Sequence, residues 1–306
     1  MTDKRGKPLE ATLAHLKDLA EQREAAEPVQ LPLWPDLKRG TPNSFIRSAL
    51  FAAVQSKDRV YLSGAVLASQ KGIDVKFTGL QLNQEDLTVW ETFAHLARAQ
   101  PLGQACEFTA HSLLTALGMH TGLSQHKQLH KTILRLTACA VEITHEGKTY
   151  FGPLVKSGTK DELTSHYRVE LNRDLIRLFG ENQWTAVDWA QRLQLRGKLL
   201  AQALHAFYSS HRDPFPLKLD TLRGYVASAN QQKAGFKVSL RKALDDLKAI
   251  GFLSGYEIAG DVVAVHRDHA RLNAPDVPTD TDTASDTHPP FSAPVRRTPP
   301  GRHPRP

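Results

Sequence analysis

Three observations predict an α+β chain with disordered termini. First, the stretch from about residue 38 to 270 carries one order of elements twice: a short strand, a short helix ended at a tight turn, a long helix, and a strand hairpin. Second, each long helix has an apolar inward face and a basic, polar leading end. Third, residues 273 to 306 hold half of the chain's 18 prolines among Thr, Ser, Asp and Arg, with little to bury. A helix pair closed by a hairpin is the order of a winged-helix domain, so the sequence predicts two tandem winged-helix domains. The expected division is an arm over 1–37, a first winged-helix domain over 38–180, a second over 181–270, and a disordered, basic, Pro-rich tail over 271–306.

The elements follow in order. Leu9, Leu13, Leu16 and Ala20 give the arm an apolar stripe at helical spacing. Asn43 can cap a helix through FIRSALFAAVQ, IDVKFTGLQL alternates as a strand, and EDLTVWETFAHLARA returns to helical spacing with Leu87, Trp90, Phe93 and Leu96 inward. The strand ACEFT then leads into the short helix AHSLLTALGM, ended at Gly118, and a long helix runs from about Ser124 to Ala138. AVEITHE and TYFGPLVKSG form a hairpin in the position of a wing, and SHYRVELN adds a strand. The second copy has an entering strand near Trp184 and a helix from about Arg196 to Ser209. It continues with the strand FPLKLD, the helix TLRGYVA, a turn at 228–231, a long helix to about Ile250, and the hairpin FLSGYEIAGDVVAVHR.

A formal charge of +7 favours polyanionic partners, nucleic acid among them. Cys106 and Cys139 stand far apart, without the spacing of a disulfide framework or a structural zinc site. His126 and His130 are four residues apart, but no glutamate lies between them and no third ligand is evident, so no metal is expected. The sequence lacks GxxxxGK[ST], GxGxxG at a helix start, HExxH and GxSxG, which argues against an enzyme and against any cofactor. No apolar run reaches the roughly 20 residues of a membrane helix, and no secretory signal opens the chain, so a cytoplasmic protein with no membrane partner is expected.

The leading end of the first long helix carries Ser124, Gln125, His126, Lys127, His130 and Lys131. That of the second carries Asn230, Gln231, Gln232, Lys233, Lys237 and Arg241. Gln and Asn can pair with adenine edges and Arg or Lys with guanine, so both sets suit a helix entering a major groove with its N-terminal end first. An ordinary solvated face is the competing reading for each helix. Lys148 in the first hairpin and Arg267 at the end of the second, with Lys156 and Lys160, are candidates for flanking phosphates.

Four segments, IRSALFAA, VKFTGLQL, LFGENQWT and especially YSSHRDPFPLKLDTLR at 208–223, resemble the TrfA-type plasmid replication initiators. The more distant RepE- and RepA-like initiators share two winged-helix domains. The resemblance covers residues from about 30 to 267. It implies binding of double-stranded DNA at directly repeated origin sequences (iterons), duplex opening with a host initiator and replicative helicase, and exchange between monomer and dimer. Residues Gln30, Leu31, Pro32, Leu33 and Trp34 also resemble the Q-L-x-L-F peptide that docks on the replicative sliding clamp, with Trp in place of Phe. Packing of Leu33 and Trp34 on the chain's own first domain is the rival reading of this segment. Two other functions fit the same basic helices: a winged-helix transcriptional repressor without a replicative role, and a scaffold for acidic proteins.

Overall fold

Helices and strands are mixed throughout the computed structural model, which describes residues 12–17, 29–230 and 232–267. Gln231, the tail over 271–306 and most of the arm lie outside the described residues; within the arm, residues 12–17 form a helix, α1, with Leu13 and Leu16 exposed. The first half continues with β1 (Lys38–Pro42), α2 (Asn43–Ile46), β2 (Phe51–Ala52), β3 (Tyr61–Leu67), β4 (Ile73–Leu80), β5 (Leu82–Asn83) and α3 (Gln84–Ala97). It then runs through β6 (Ala105–Thr109), α4 (Ala110–Ala116), α5 (Leu123–Ala138), β7 (Ala140–His145), β8 (Lys148–Gly152), β9 (Ser157–Asp161) and β10 (His166–Glu170). After β11 (Trp184–Asp188), α6 (Trp189–Gln194) and α7 (Leu199–Ser209) come β12 (Leu217–Lys218), α8 (Leu219–Tyr225), α9 (Lys233–Ala249), β13 (Gly255–Ala259) and β14 (Val262–His266).

Asn83 starts α3 with a capping box: its Oδ1 accepts the Glu85 and Asp86 amides, while the Asp86 carboxylate accepts the Asn83 amide at 3.0 Å. Asp86 is buried and also pairs with Arg59 and, at 2.7 Å, with Arg135 of α5, so one carboxylate fixes both the start of α3 and the seat of α5. Trp90 and Phe93 point from α3 into the first core, which runs from Leu31 to Trp189 with Ala206 at its edge. A second core gathers Phe207, Leu219, Leu222, Phe236, Leu240, Leu244, Leu247 and Val263. The inward faces expected for both long helices are thus the buried ones, Leu129, Ile133 and Leu136 in α5 and Phe236, Leu240 and Leu244 in α9.

The helix expected through FIRSALFAAVQ stops after four residues. Asn43 does not cap it: its Oδ1 accepts the Thr185 hydroxyl at 2.7 Å and its amide donates to the Asn182 carbonyl at 2.9 Å. The chain beyond is extended because the Ala49 amide donates to Ala68 and β2 pairs with β5, contacts that a continued helix would forbid. The strand at Trp184, β11, pairs antiparallel with β1, from Lys38 opposite Asp188 to Pro42 opposite Trp184.

On the buried side of α3 lies a charged cluster. Glu91 accepts the Thr41 hydroxyl at 2.7 Å and faces Arg192 Nε at 2.7 Å, with both side chains fully buried. Arg192 Nη2 also donates to the Gln84 carbonyl and the Thr88 hydroxyl, at 3.1 and 3.0 Å, so part of the guanidinium's donor capacity is met away from water.

Candidate nucleic-acid interface

The repeated pattern is real in three dimensions, but its first hairpin is a different one from that expected. β6 pairs with β10 and β10 with β9, giving the order β6-β10-β9; β12 pairs with β14 and β14 with β13, giving β12-β14-β13. Each sheet is therefore a short strand leading into a helix pair, followed by a hairpin whose second strand returns beside the first. The hairpin of β7 and β8, which carries Lys148, belongs instead to the four-stranded sheet β3-β4-β7-β8. It is therefore not the hairpin that returns beside β6, a place that β9 and β10 take. The alternating strand β4 takes β7 as its partner along six residue pairs, Ile73 to Thr78, and that long ladder draws the hairpin away from the helix pair.

The turns inside the two helix pairs match residue for residue. Past α4, the Gly118 amide donates to Thr115 and the Met119 amide to Leu114; past α8, Ala227 donates to Gly224 and Ser228 to Arg223. Both are Schellman closures, with the residue after the helix cap in the left-handed region: Gly118 at φ +58° and Ala227 at φ +43°. Alanine carries a Cβ cost there that glycine does not. Ala227→Gly is expected to raise stability by about 1 kcal/mol, read as a shift of the urea midpoint at constant slope.

The outward faces of the second helices divide the candidate residues. On α5, Ser124, Lys127 and Lys131 are exposed at helical spacing with Leu134, forming one stripe. Gln125 accepts the Ser124 hydroxyl at 2.8 Å. His126 and His130 are half-buried, and the His130 ring lies 5.9 Å from that of Tyr167 on β10, so His130 turns toward the hairpin sheet. On α9, Gln232, Ala234, Val238, Arg241, Lys242 and Asp245 are exposed. Asn230 bonds within the turn that leads into α9, its Oδ1 accepting the Gln232 amide at 3.2 Å.

Lys233 and Lys237 reach sideways to the hairpin turn. Lys233 pairs with Asp261 and, at 3.4 Å, with Asp220, while Lys237 donates to the Gly260 carbonyl at 2.9 Å. The hydrogen bond to Asp261 holds the Lys233 ammonium above the usual lysine range. These two lysines tie the hairpin to α9, and Lys233 is already partly neutralised. Arg267 is corrected from a phosphate contact to a structural group. It donates to the Tyr208 and His211 carbonyls at 3.0 and 3.1 Å and lies 4.6 Å above the Phe252 ring, and burial lowers its pKa. Lys156 and Lys160, near the first hairpin, pair with Glu170 and Glu162.

Three features escaped the sequence reading. Val238 is 65% exposed in the middle of the outward face of α9, and Lys242 lies beside Arg241. Leu163, 98% exposed, sits at the tip between β9 and β10. An apolar residue on the polar side of a periodic helix was the signal available for Val238; nothing in the sequence marked Leu163, because its hairpin was assigned elsewhere.

The segment at 30–34 splits in the same way. Trp34 is 4% exposed; its ring stacks on Phe179 at 6.0 Å, approaches Trp184 at 5.7 Å, and its indole N–H donates to His95 at 3.1 Å. Leu31 is buried, Gln30 donates to the Arg98 carbonyl, and Leu33 is 74% exposed. Among the described residues, no group of His, Cys, Asp and Glu could hold a metal ion, and no helix is long and apolar enough to cross a membrane.

The family model described as TrfA protein matches residues 8–267. The plasmid replication initiator protein TrfA of Escherichia coli is 26% identical over 289 residues, covering 87% of this chain and 75% of that protein. Among solved structures, domains 2 and 3 of RctB cover 74% of this chain and 99% of theirs at 13% identity and a TM-score of 0.48. The Pi initiator protein in complex with iteron DNA covers 60% of this chain and 94% of its own at 13% identity and a TM-score of 0.46.

Proposed function

Because this chain belongs to the TrfA protein family, matched over residues 8–267, we propose that it is a plasmid replication initiator that binds iterons in duplex DNA and promotes origin opening. The observation that carries the reading is the pair of equivalent units, each a strand, a helix, a Schellman turn, a second helix and a returning hairpin. We take the two units as winged-helix domains, with α5 and α9 as the reading helices in major grooves of the same duplex. Lys127 and Lys131 on α5 and Arg241 and Lys242 on α9 stand free for phosphates and base edges, and Val238 is suited to the methyl group of thymine. The division at 38–180 and 181–270, and action without a catalytic centre or cofactor, belong to the same proposal. So do a cytoplasmic location, exchange between monomer and dimer, and recruitment of a host initiator and replicative helicase.

Docking of residues 30–34 on a sliding clamp is proposed with Leu33 as the free anchor, since Trp34 would have to leave its ring contacts. Leu33→Ala is expected to abolish capture by purified clamp while changing stability by less than about 0.5 kcal/mol. Trp34→Ala is expected to cost about 3–5 kcal/mol of folding stability. Clamp capture unchanged by Leu33→Ala would leave self-packing as the sole role of the segment.

The functional proposal is tested by binding to an iteron-bearing duplex and its scrambled counterpart over a range of salt. With roughly 6 to 10 phosphates neutralised, log K is expected to fall against log salt with a slope of roughly −5 to −9 on the specific duplex. A single protected palindrome at a promoter would support a repressor instead, and equal affinity for both duplexes would remove the reading altogether.

A further inference from the structure

Helix α7 packs along α9 in the second unit, rests on α2, α3 and β11 of the first, and is fastened to that unit by an arginine at each of its ends. At its N-terminal end, Arg196 donates to the Leu117 and Gly118 carbonyls, the acceptors left free where α4 ends. At its C-terminal end, Arg47, just past α2, donates to the hydroxyl of Ser210 at 2.9 Å and to its carbonyl. The seam near the first fastening is not close-packed. A cavity of about 310 Å³ opens there, lined by Leu114, Leu117, Leu129, Leu193 and Arg196 among others. The guanidinium of Arg196 spans this gap beside the end of α4, while Leu193 just before it and Ala206 within α7 pack on the first core.

We propose that α7 is a spacer bar: Arg47 and Arg196 pin its two ends to the first unit, so the chain accepts one separation between the DNA segments read by α5 and α9. The inference rests on the DNA-reading role proposed above and assigns specificity for spacing to residues that touch no base. One inserted base pair turns the second segment by about 35° around the duplex axis, a rotation that a pinned bar cannot follow and a released one can.

The test has two arms. In the first, Lys131→Cys and Lys242→Cys carry spin labels on the full chain, Cys106 and Cys139 being buried, and distances are read without DNA. The parent is expected to give one narrow distribution, and Arg47→Ala with Arg196→Ala a distribution at least twofold wider. Should the double variant lose cooperative unfolding, Arg196→Ala alone is read, since Arg196 is exposed and its removal leaves the core intact. A parent distribution that is already broad, or a variant one that is equally narrow, overturns the proposal.

In the second arm, the parent selects its site from a random duplex pool, and one base pair is then added or removed between the two protected segments. The parent is expected to lose at least tenfold in affinity, and the double variant less than threefold, with affinity for the unaltered site kept within threefold. Equal penalties for parent and variant overturn the spacer bar. Failure of the parent to select any sequence overturns the DNA-reading role instead, and the labels still decide whether α7 is pinned.

Discussion

Arg192→Met is expected to lower the stability of the folded chain by about 3–5 kcal/mol, several times what the loss of an exposed ion pair costs. The reason is the company the guanidinium keeps. Removing it leaves Glu91 fully buried, with the Thr41 hydroxyl as its hydrogen-bond donor and Arg39 as a more distant charge, and takes the guanidinium donor from Gln84 Oε1 and Thr88 Oγ1. A carboxylate without a close counter-charge in that setting must either ionise at high cost or take up a proton. Denaturant unfolding checks the value, with the midpoint falling at unchanged slope. Adding Glu91→Leu to Arg192→Met is expected to recover most of the loss, because two apolar side chains replace an ion pair that had been stripped of water. The pair joins α3 to α6, so its loss is felt across both halves of the chain.

The second large effect concerns binding. Arg241→Ala is expected to cost about 1–3 kcal/mol on the specific duplex and to relax specificity at one position, as for an arginine that bonds a guanine edge. Lys156→Ala, a lysine already paired with Glu170, should change affinity little and evenly across sequences. Val238, one turn before Arg241 on the same exposed face, gives a chemically sharper readout. Replacing thymine by uracil across the segment read by α9 removes only methyl groups, and is expected to cost the parent up to about 0.8 kcal/mol per methyl contacted and Val238→Ala next to nothing. Competition gel shifts resolve both comparisons.

Much of this arrangement was legible in the sequence because periodicity reports burial directly. Leu129, Ile133 and Leu136 recur at helical spacing and are the buried face of α5; Phe236, Leu240 and Leu244 do the same for α9. What periodicity does not report is which strand a strand will choose. AVEITHE alternates as well beside β4 as it would beside β6, and the choice of β4 rests on a ladder between residues more than sixty positions apart. The true partner of β6 is HYRVE, which alternates just as cleanly with Tyr167 and Val169 buried, so periodicity alone does not choose between the two strands.

The candidate site residues divide for a related reason. A basic residue near a helix start reads the same whether it faces open solvent, as Lys127 does, or leans onto a neighbouring turn, as Lys237 does. Arg267 reads as a surface charge at a strand end, yet it closes the C-terminal end of α7 with its guanidinium over the Phe252 ring. The fastening arginines were invisible for the opposite reason, since Arg47 and Arg196 bond backbone carbonyls, which carry no sequence signature at all.

Footprinting of the full chain on the replicon that encodes it separates paired reading from its alternatives. Two reading helices used in one register predict protection of directly repeated blocks, each roughly two helical turns long, lost segment by segment when Lys127 with Lys131, or Arg241 with Lys242, are replaced by glutamate. Protection of a single palindrome, or of no site, or a footprint that either pair of substitutions removes entirely and equally, would rule out two helices reading one duplex.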